Sequence, residues 1–294
     1  MKPQVCIFGE VLFDHFPEGQ SVLGGAPFNV AWHLQAFGLA PLFISQVGQD
    51  EQGQKIIQAM RQWQMNENGL ARSDDQTTGR VDIRIVDNEP QYDIVSPSAW
   101  DFIPVAATTS ACQVIYHGSL AMRHQHNRDS FNDLMSNSKH RIFLDVNLRN
   151  PWWQLDEVLQ MIARCDWLKL NIDEFNLLFP SSRSLVQRIE KVVKENQLQA
   201  VILTRGSEGA MLMTCDGNRY SVEPENSIDI VDTVGAGDAF TSVMITGIIK
   251  KWPLATTIKR AQQLASKIVG QRGATVFDPS FYQPFIQQWS LNSN

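Results

Sequence analysis

At 294 residues, 43% of them hydrophobic, the chain carries enough apolar material to bury a core without staples. A formal net charge of −6, with no run of Lys or Arg, argues against nucleic acid as a partner, because phosphate-backbone binding needs a basic face. No stretch approaches the roughly 18 apolar residues of a membrane span, and the N-terminal apolar run is broken by Glu10 and Asp14, so neither a membrane nor a signal peptide is expected. Cys6, Cys112, Cys165 and Cys215 lie far apart with no CxxC or metal-ligand spacing, and are expected as thiols in a reducing cytoplasm.

The first β-rich run is VCIFGEVLF. A helix follows at PFNVAWHLQAFG: Pro27 suits its first turn, Val30, Leu34 and Phe37 share a face, and Gly38 ends it. APLFISQVG, RIFLDVNL, DWLKLN and AVILTRG are further strand-like runs separated by helical spacing, a βαβ alternation that predicts a mainly parallel sheet. TGRVDIRIVDNEPQYDIV breaks the pattern. Val81, Ile83 and Ile85 alternate with Asp82 and Arg84, and DNEP reads as the turn of an antiparallel hairpin. Such a hairpin is marginal alone, so it should cover something: a site, as a lid, or a second copy. The last legible helix opens at GAGD, runs through AFTSVMITGIIK and stops before Pro253.

Within DTVGAGDAF, the small residues Gly235, Ala236 and Gly237 sit where loop becomes helix, so bare N–H groups can converge on an anion at the positive end of the helix dipole. Asp238 beside them suits a base that takes a proton from a hydroxyl attacking phosphorus; equally, it reads as a helix cap. In GGAPFN, Gly24 and Gly25 could bring backbone against a polyhydroxy ligand while Asn29 offers a donor and an acceptor. The alternative is an ordinary loop-to-helix turn. Asp14, placed after the first strand where open α/β sheets bind ligands, could accept two sugar hydroxyls or simply be a solvated acid. His124 and His126 form an HxH with no third metal ligand spaced nearby, which favours a solvated turn.

Together these motifs resemble the ribokinase, or PfkB-type, carbohydrate kinase family along nearly the whole chain. GGAPFNVAWHLQAFGLAPLFISQVGQDEQG resembles the family's N-terminal signature and DTVGAGDAFTSVMITGI its C-terminal one; DVNLR, NIDE and TRGSEG fall in the expected order between them. The resemblance implies a single ribokinase-like domain over 1–294: a three-layer α/β sandwich with a central mostly parallel sheet and a β-hairpin lid formed mainly by about 78–100. It implies Asp238 as general base and Gly235, Ala236 and Gly237 as the anion hole. Asp14, Gly24, Gly25, Asn29 and Arg149 would hold the sugar. Asn171, Thr204, Gly206 and Gly209 would contact ATP, Glu174 would order Mg2+ through water, and Asp232 lies in the loop where family members hold a monovalent cation such as K+.

Ala26, Pro27 and Phe28 after the glycine pair, and DVNLR, resemble bacterial fructokinases, so the implied reaction is fructose to fructose 6-phosphate. The absence of a signal-peptide core and of a membrane-length apolar run leads to the expectation of a cytoplasmic protein, and the hairpin's apolar face, which needs cover, to that of a homodimer through the lid. Arginines like Arg149 also occur in 2-keto-3-deoxygluconate kinases, which keeps that and other sugar or nucleoside acceptors as alternatives; a surface salt bridge is the plain alternative for Arg149. A dinucleotide-dependent oxidoreductase lacks its GxGxxG, since GEVLFD stands after the first strand. A catalytically inactive sugar-binding regulator would be expected to lose the base or the anion hole, and both are present.

Overall fold

The computed structural model describes residues 4–86, 89–105, 112–136, 140–224 and 230–291, and the chain divides into two compact units. The first comprises residues 1–112, 121–138 and 275–294; the second, 113–120 and 139–274.

In the first unit the chain passes through β1 (Val5–Phe8), β2 (Leu12–His15), β3 (Ser21–Gly24), helix α1 (Ala26–Ala36), β4 (Leu42–Gly48), α2 (Glu51–Gln62) and β5 (Leu70–Ser73). The hairpin β6 (Gly79–Val86) and β7 (Glu89–Ile94), α3 (Gln125–Ser136) and a C-terminal helix, Pro279–Gln288, complete it. β1 pairs in parallel with β4, and β4 with β5. The run VCIFGEVLF is two strands in two sheets, a correction to its reading as one. At Gly9 an added Cβ would come within 2.3 Å of Pro27 Cγ, so the backbone turns away where α1 presses on it.

Helix α1 is buried on every side from Pro27 to Leu34. Trp32 stacks on Trp63 with ring centroids 4.7 Å apart, and its indole N–H donates to the Val276 carbonyl at 3.1 Å. His33 Nδ1 and the Tyr282 hydroxyl share a buried 2.9 Å hydrogen bond. Aromatic packing therefore fastens the C-terminal segment to the helix carrying Asn29.

The hairpin is present as expected, with Val81 opposite Ile94 and Ile83 opposite Tyr92. It is larger than its sequence suggests, because β2 pairs in parallel with β6 and antiparallel with β3, giving a four-stranded sheet ordered β3-β2-β6-β7. Val81, Ile83 and Ile94 are buried, whereas Ile85 is 55% exposed, so the apolar alternation does not mark a covered face along its whole length. Two residues of the expected turn DNEP, 87 and 88, lie outside the described residues.

The second unit contains β8 (Val114–Gly118), β9 (Arg141–Asp145), α4 (Leu155–Ile162), β10 (Trp167–Asn171), α5 (Ile172–Leu178), α6 (Leu185–Glu195), β11 (Ala200–Thr204), β12 (Ala210–Thr214), β13 (Arg219–Val222), α7 (Ala236–Lys250) and α8 (Leu254–Val269). β8 through β11 pair in parallel; β12 and β13 add an antiparallel edge. The parallel strands are near-continuous apolar runs, the pattern of a sheet covered on both faces. The α/β class with a mostly parallel sheet and a small lid sheet thus agrees with expectation. Among the described residues no helix is long and apolar enough to cross a membrane.

The cysteine reading needs correction. Cys6 and Cys112, 106 positions apart in sequence, have Cα atoms 6.0 Å apart and are joined as a disulfide. Spacing along the chain gave no hint because β-strand folding brings distant segments together. Cys165 is buried, which raises its thiol pKa, and Cys215 is exposed. Thiol titration of the denatured chain should find two thiols before reduction and four after; four at the outset would contradict the bond.

Candidate functional site

The start of α7 is set by Gly235, whose φ of 79° lies in the left-handed region and at which an added Cβ would sit 2.4 Å from Ala274 Cβ. Only glycine fits there. The helix begins at Ala236, so Asp238 is its third residue, in the first turn where N–H groups lack intrahelical acceptors. The N–H of Ala236 makes a long 3.4 Å bond to the Thr233 carbonyl. Gly235 itself occupies the cap position, so Asp238 is not the cap residue of α7.

Three side chains missed in the sequence hold this turn. Lys169 on β10 and Asp145 on β9 form a buried ion pair, Nζ to Oδ2 at 2.6 Å, with side chains 7% and 4% exposed. The hydroxyl of Thr241, one helical turn beyond Gly237, donates to the same Oδ2 at 2.9 Å and lies 3.0 Å from the Gly237 carbonyl. A Cβ at Gly237 would lie 3.5 Å from Lys169 Nζ, so the ammonium sits against the glycine-rich turn. The available signal was a Lys between two leucines, and an Asp after IFL, in strands too apolar to face water.

Asp232, expected near a cation, secures the preceding loop: Oδ1 accepts from the Val234 N–H at 3.0 Å and Oδ2 from that of Gly273 at 3.1 Å. Asn171 ends β10 and caps α5, accepting from the Glu174 N–H at 2.9 Å. The Glu174 carboxylate accepts in return from the N–H of Asn171 at 2.9 Å and from that of Leu148 at 2.7 Å, tying DVNLR to NIDE. Burial pushes the Glu174 carboxyl above its usual range and the charge of Asp145 adds to this, against the two backbone bonds and Lys169. Arg149 is exposed, donates to the Leu148 carbonyl at 3.1 Å, and pairs with no carboxylate among the described residues, against the salt-bridge alternative.

Thr204 is the register partner of Asn171 across β10 and β11. Beyond it Gly206 and Gly209 make the turn into β12, closed by the Arg205 N–H to the Gly209 carbonyl at 2.7 Å. Asp145, Lys169, Asn171 and Thr204 therefore gather at the carboxyl ends of adjacent parallel strands, the edge where open α/β sheets bind ligands.

In the first unit Asp14 lies inside β2, opposite Val22 and Val81, which corrects its placement after the first strand of the main sheet. It is part of the lid sheet. A Cβ at Gly24 would come within 3.3 Å of Asp14 Oδ2, and at Gly25, φ 106°, within 2.8 Å of the Glu10 carbonyl. The glycine at 25 is thus required by its own chain. Asn29 is buried one turn into α1, its N–H bonded to the Gly25 carbonyl at 2.9 Å. His124 and His126 pack on Phe102, and no cluster of three or more metal-ligating side chains forms among the described residues.

Residues 6–280 match the model of the pfkB family carbohydrate kinases. Fructokinase of Escherichia coli is 26% identical over 266 residues, 84% of this chain and 85% of that protein. Aminoimidazole riboside kinase of Salmonella typhimurium is 26% identical over 292 residues, 92% of this chain and 90% of that one. The crystal structure of a Xylella fastidiosa fructokinase with bound ATP superposes with a TM-score of 0.84, covering 99% of this chain and 100% of its own; at 19% identity this shows a shared fold.

Removing one partner of a buried ion pair strands the other charge. Lys169→Met should therefore cost about 3–5 kcal/mol in urea unfolding, and adding Asp145→Asn should recover part of the loss. A single variant within about 1 kcal/mol of the parent would show that the pair does not hold the turn.

Proposed function

The chain belongs to the pfkB family of carbohydrate kinases, and from that premise we propose that its acceptor is D-fructose, converted to fructose 6-phosphate with ATP as donor. The carrying observation is the start of α7, where a carboxylate in the first helical turn follows a glycine-rich turn backed by a buried ammonium. In this reading Asp238 accepts the proton of the attacking hydroxyl. The N–H groups of Gly235, Ala236 and Gly237 stabilise charge on the transferring phosphoryl, helped by the helix dipole. Asp14, Gly24, Gly25 and Asn29 bind sugar hydroxyls, Arg149 the acceptor end, and Asn171, Thr204, Gly206 and Gly209 the nucleotide.

Mg2+ bound with the nucleotide would neutralise phosphate charge. It needs few protein ligands because it keeps several waters, and Glu174, each oxygen holding one N–H and keeping a lone pair, suits contact through water. Asp232, likewise anchored by two amides, would serve a monovalent cation. Fructose is supported by Ala26–Phe28, by DVNLR and by the likeness to the Escherichia coli enzyme. A second acceptor, 2-keto-3-deoxygluconate, is favoured by the exposed Arg149, whose charge no carboxylate satisfies among the described residues. The proposed setting is the cytoplasm, where burial of Cys6 and Cys112 would shield their bond from reductants.

ATP consumption measured across fructose, ribose, tagatose, 2-keto-3-deoxygluconate and nucleosides should give fructose the highest kcat/KM. A different winner replaces the acceptor and leaves the kinase. Asp238→Asn should lower kcat by roughly 10²- to 10⁴-fold with the melting temperature nearly unchanged, since Asn serves about as well as Asp at a helix start. A folded variant turning over like the parent would remove Asp238 as base. The homodimer is proposed through the exposed Ile85, Val86 and Tyr92 of the lid sheet, and sedimentation at working concentration should show two chains. A monomer there excludes this contact.

A further inference from the structure

The four-stranded sheet that carries Asp14 meets a buried polar cluster of its own unit at the start of β6 and just after β7. Trp100, fully buried, lies edge-on to Gly79, the first residue of β6: an added Cβ there would approach the indole Nε1 to 2.3 Å and the Val11 carbonyl, just before β2, to 2.9 Å. The Arg123 guanidinium lies 4.0 Å over the Trp100 ring. Its Nε and Nη2 donate to Asp101 Oδ1 and Oδ2, both at 2.7 Å, and Nη2 also donates to the carbonyl of Val95, just after β7, at 2.9 Å.

The cluster is itself fixed. Asp101 Oδ2 accepts from the Ser98 N–H at 2.9 Å, and the Ser98 hydroxyl donates to the same Val95 carbonyl. The Asn127 side chain donates to the carbonyls of Trp100 and Ala121, at 2.7 and 2.8 Å, and accepts from the Ile103 N–H at 2.8 Å. Arg123 and Asp101 are 3% and 0% exposed, so the pair has lost its water. A desolvated pair is a poor source of stability compared with apolar packing, but a planar fork on a carboxylate is strongly directional. What such a cluster supplies is an angle.

We propose that Arg123, acting through Asp101 and Trp100, is a positioning residue that sets the lid sheet, and with it Asp14, for sugar binding. This rests on the carbohydrate kinase reading for its kinetic consequence and on geometry alone for its mechanical one.

Two variants test it by separate routes. Arg123→Lys keeps the charge and loses the fork; Gly79→Ala keeps every charge and pushes on the indole. Each should raise the sugar KM on the order of tenfold with the ATP KM unchanged. Hydrogen exchange of the 80–86 and 89–95 amides should quicken in both while β8 to β11 stay protected. Unchanged lid exchange in a folded Arg123→Lys protein overturns the proposal whatever the sugar proves to be. So does a loss of kcat in proportion to unfolded protein with both KM values intact, the mark of a merely structural role. If the parent consumes ATP with no sugar of the panel, the acceptor reading fails, while faster exchange confined to the lid still upholds the clamp.

Discussion

A single carboxylate oxygen, Asp145 Oδ2, receives both the Lys169 ammonium and the Thr241 hydroxyl, and the arrangement of the second unit's candidate site follows from it. Burying a carboxylate is costly unless charge and hydrogen bonds are returned to it, and here they come from a neighbouring strand and a helix. Satisfying Asp145 therefore fixes where α7 can start relative to β9 and β10. That start is the Gly235–Asp238 turn. The ammonium that neutralises Asp145 is left 3.5 Å from the Cβ position of Gly237, so the same pair that fastens the helix places positive charge against its first turn.

The constraint extends to Glu174. Its carboxylate closes a reciprocal pair with Asn171 at the end of β10 and reaches the Leu148 N–H in the segment after β9. Burial and the Asp145 charge raise its pKa against the Lys169 ammonium and the two backbone hydrogen bonds. Among the described residues, the buried charged side chains of this unit, Asp145, Lys169 and Glu174, lie in or just after β9 and β10, each answered by a partner from another element. Apolar residues fill the strand bodies between them.

What the sequence made legible was local. α1 and α7 begin where Pro27 and the glycines of GAGD place them, because helix starts are written in adjacent residues. The hairpin could be read from its period of two. What was not legible depends on pairing across distance: the lid sheet takes β2 and β3 from the N-terminus, Cys6 meets Cys112, and Lys169 is buried because Asp145 lies on the next strand. A lysine in a strand ordinarily reads as a surface residue. Only its leucine neighbours, in a run suited to a sheet covered on both faces, hinted otherwise.

Asp14 shows why the distinction matters for function. Read from the sequence it is an acid after the first strand, with nothing to say which strands flank it. Placed in β2, it is held between β3 and β6 of a four-stranded sheet whose edges meet Trp100 at Gly79 and Arg123 at Val95. The sheet buries Leu12, Phe13, Val81, Ile83 and Ile94 while Ile85 and Tyr92 face outward, and apolar contact is non-directional. Directional bonds at its roots add an angle, and the buried Arg123–Asp101 fork is among those the first unit provides. Both units thus reach the same solution: an ion pair removed from water, Lys169–Asp145 in one and Arg123–Asp101 in the other, sets the direction of an element carrying a carboxylate proposed for the site, while apolar packing supplies the stability around it.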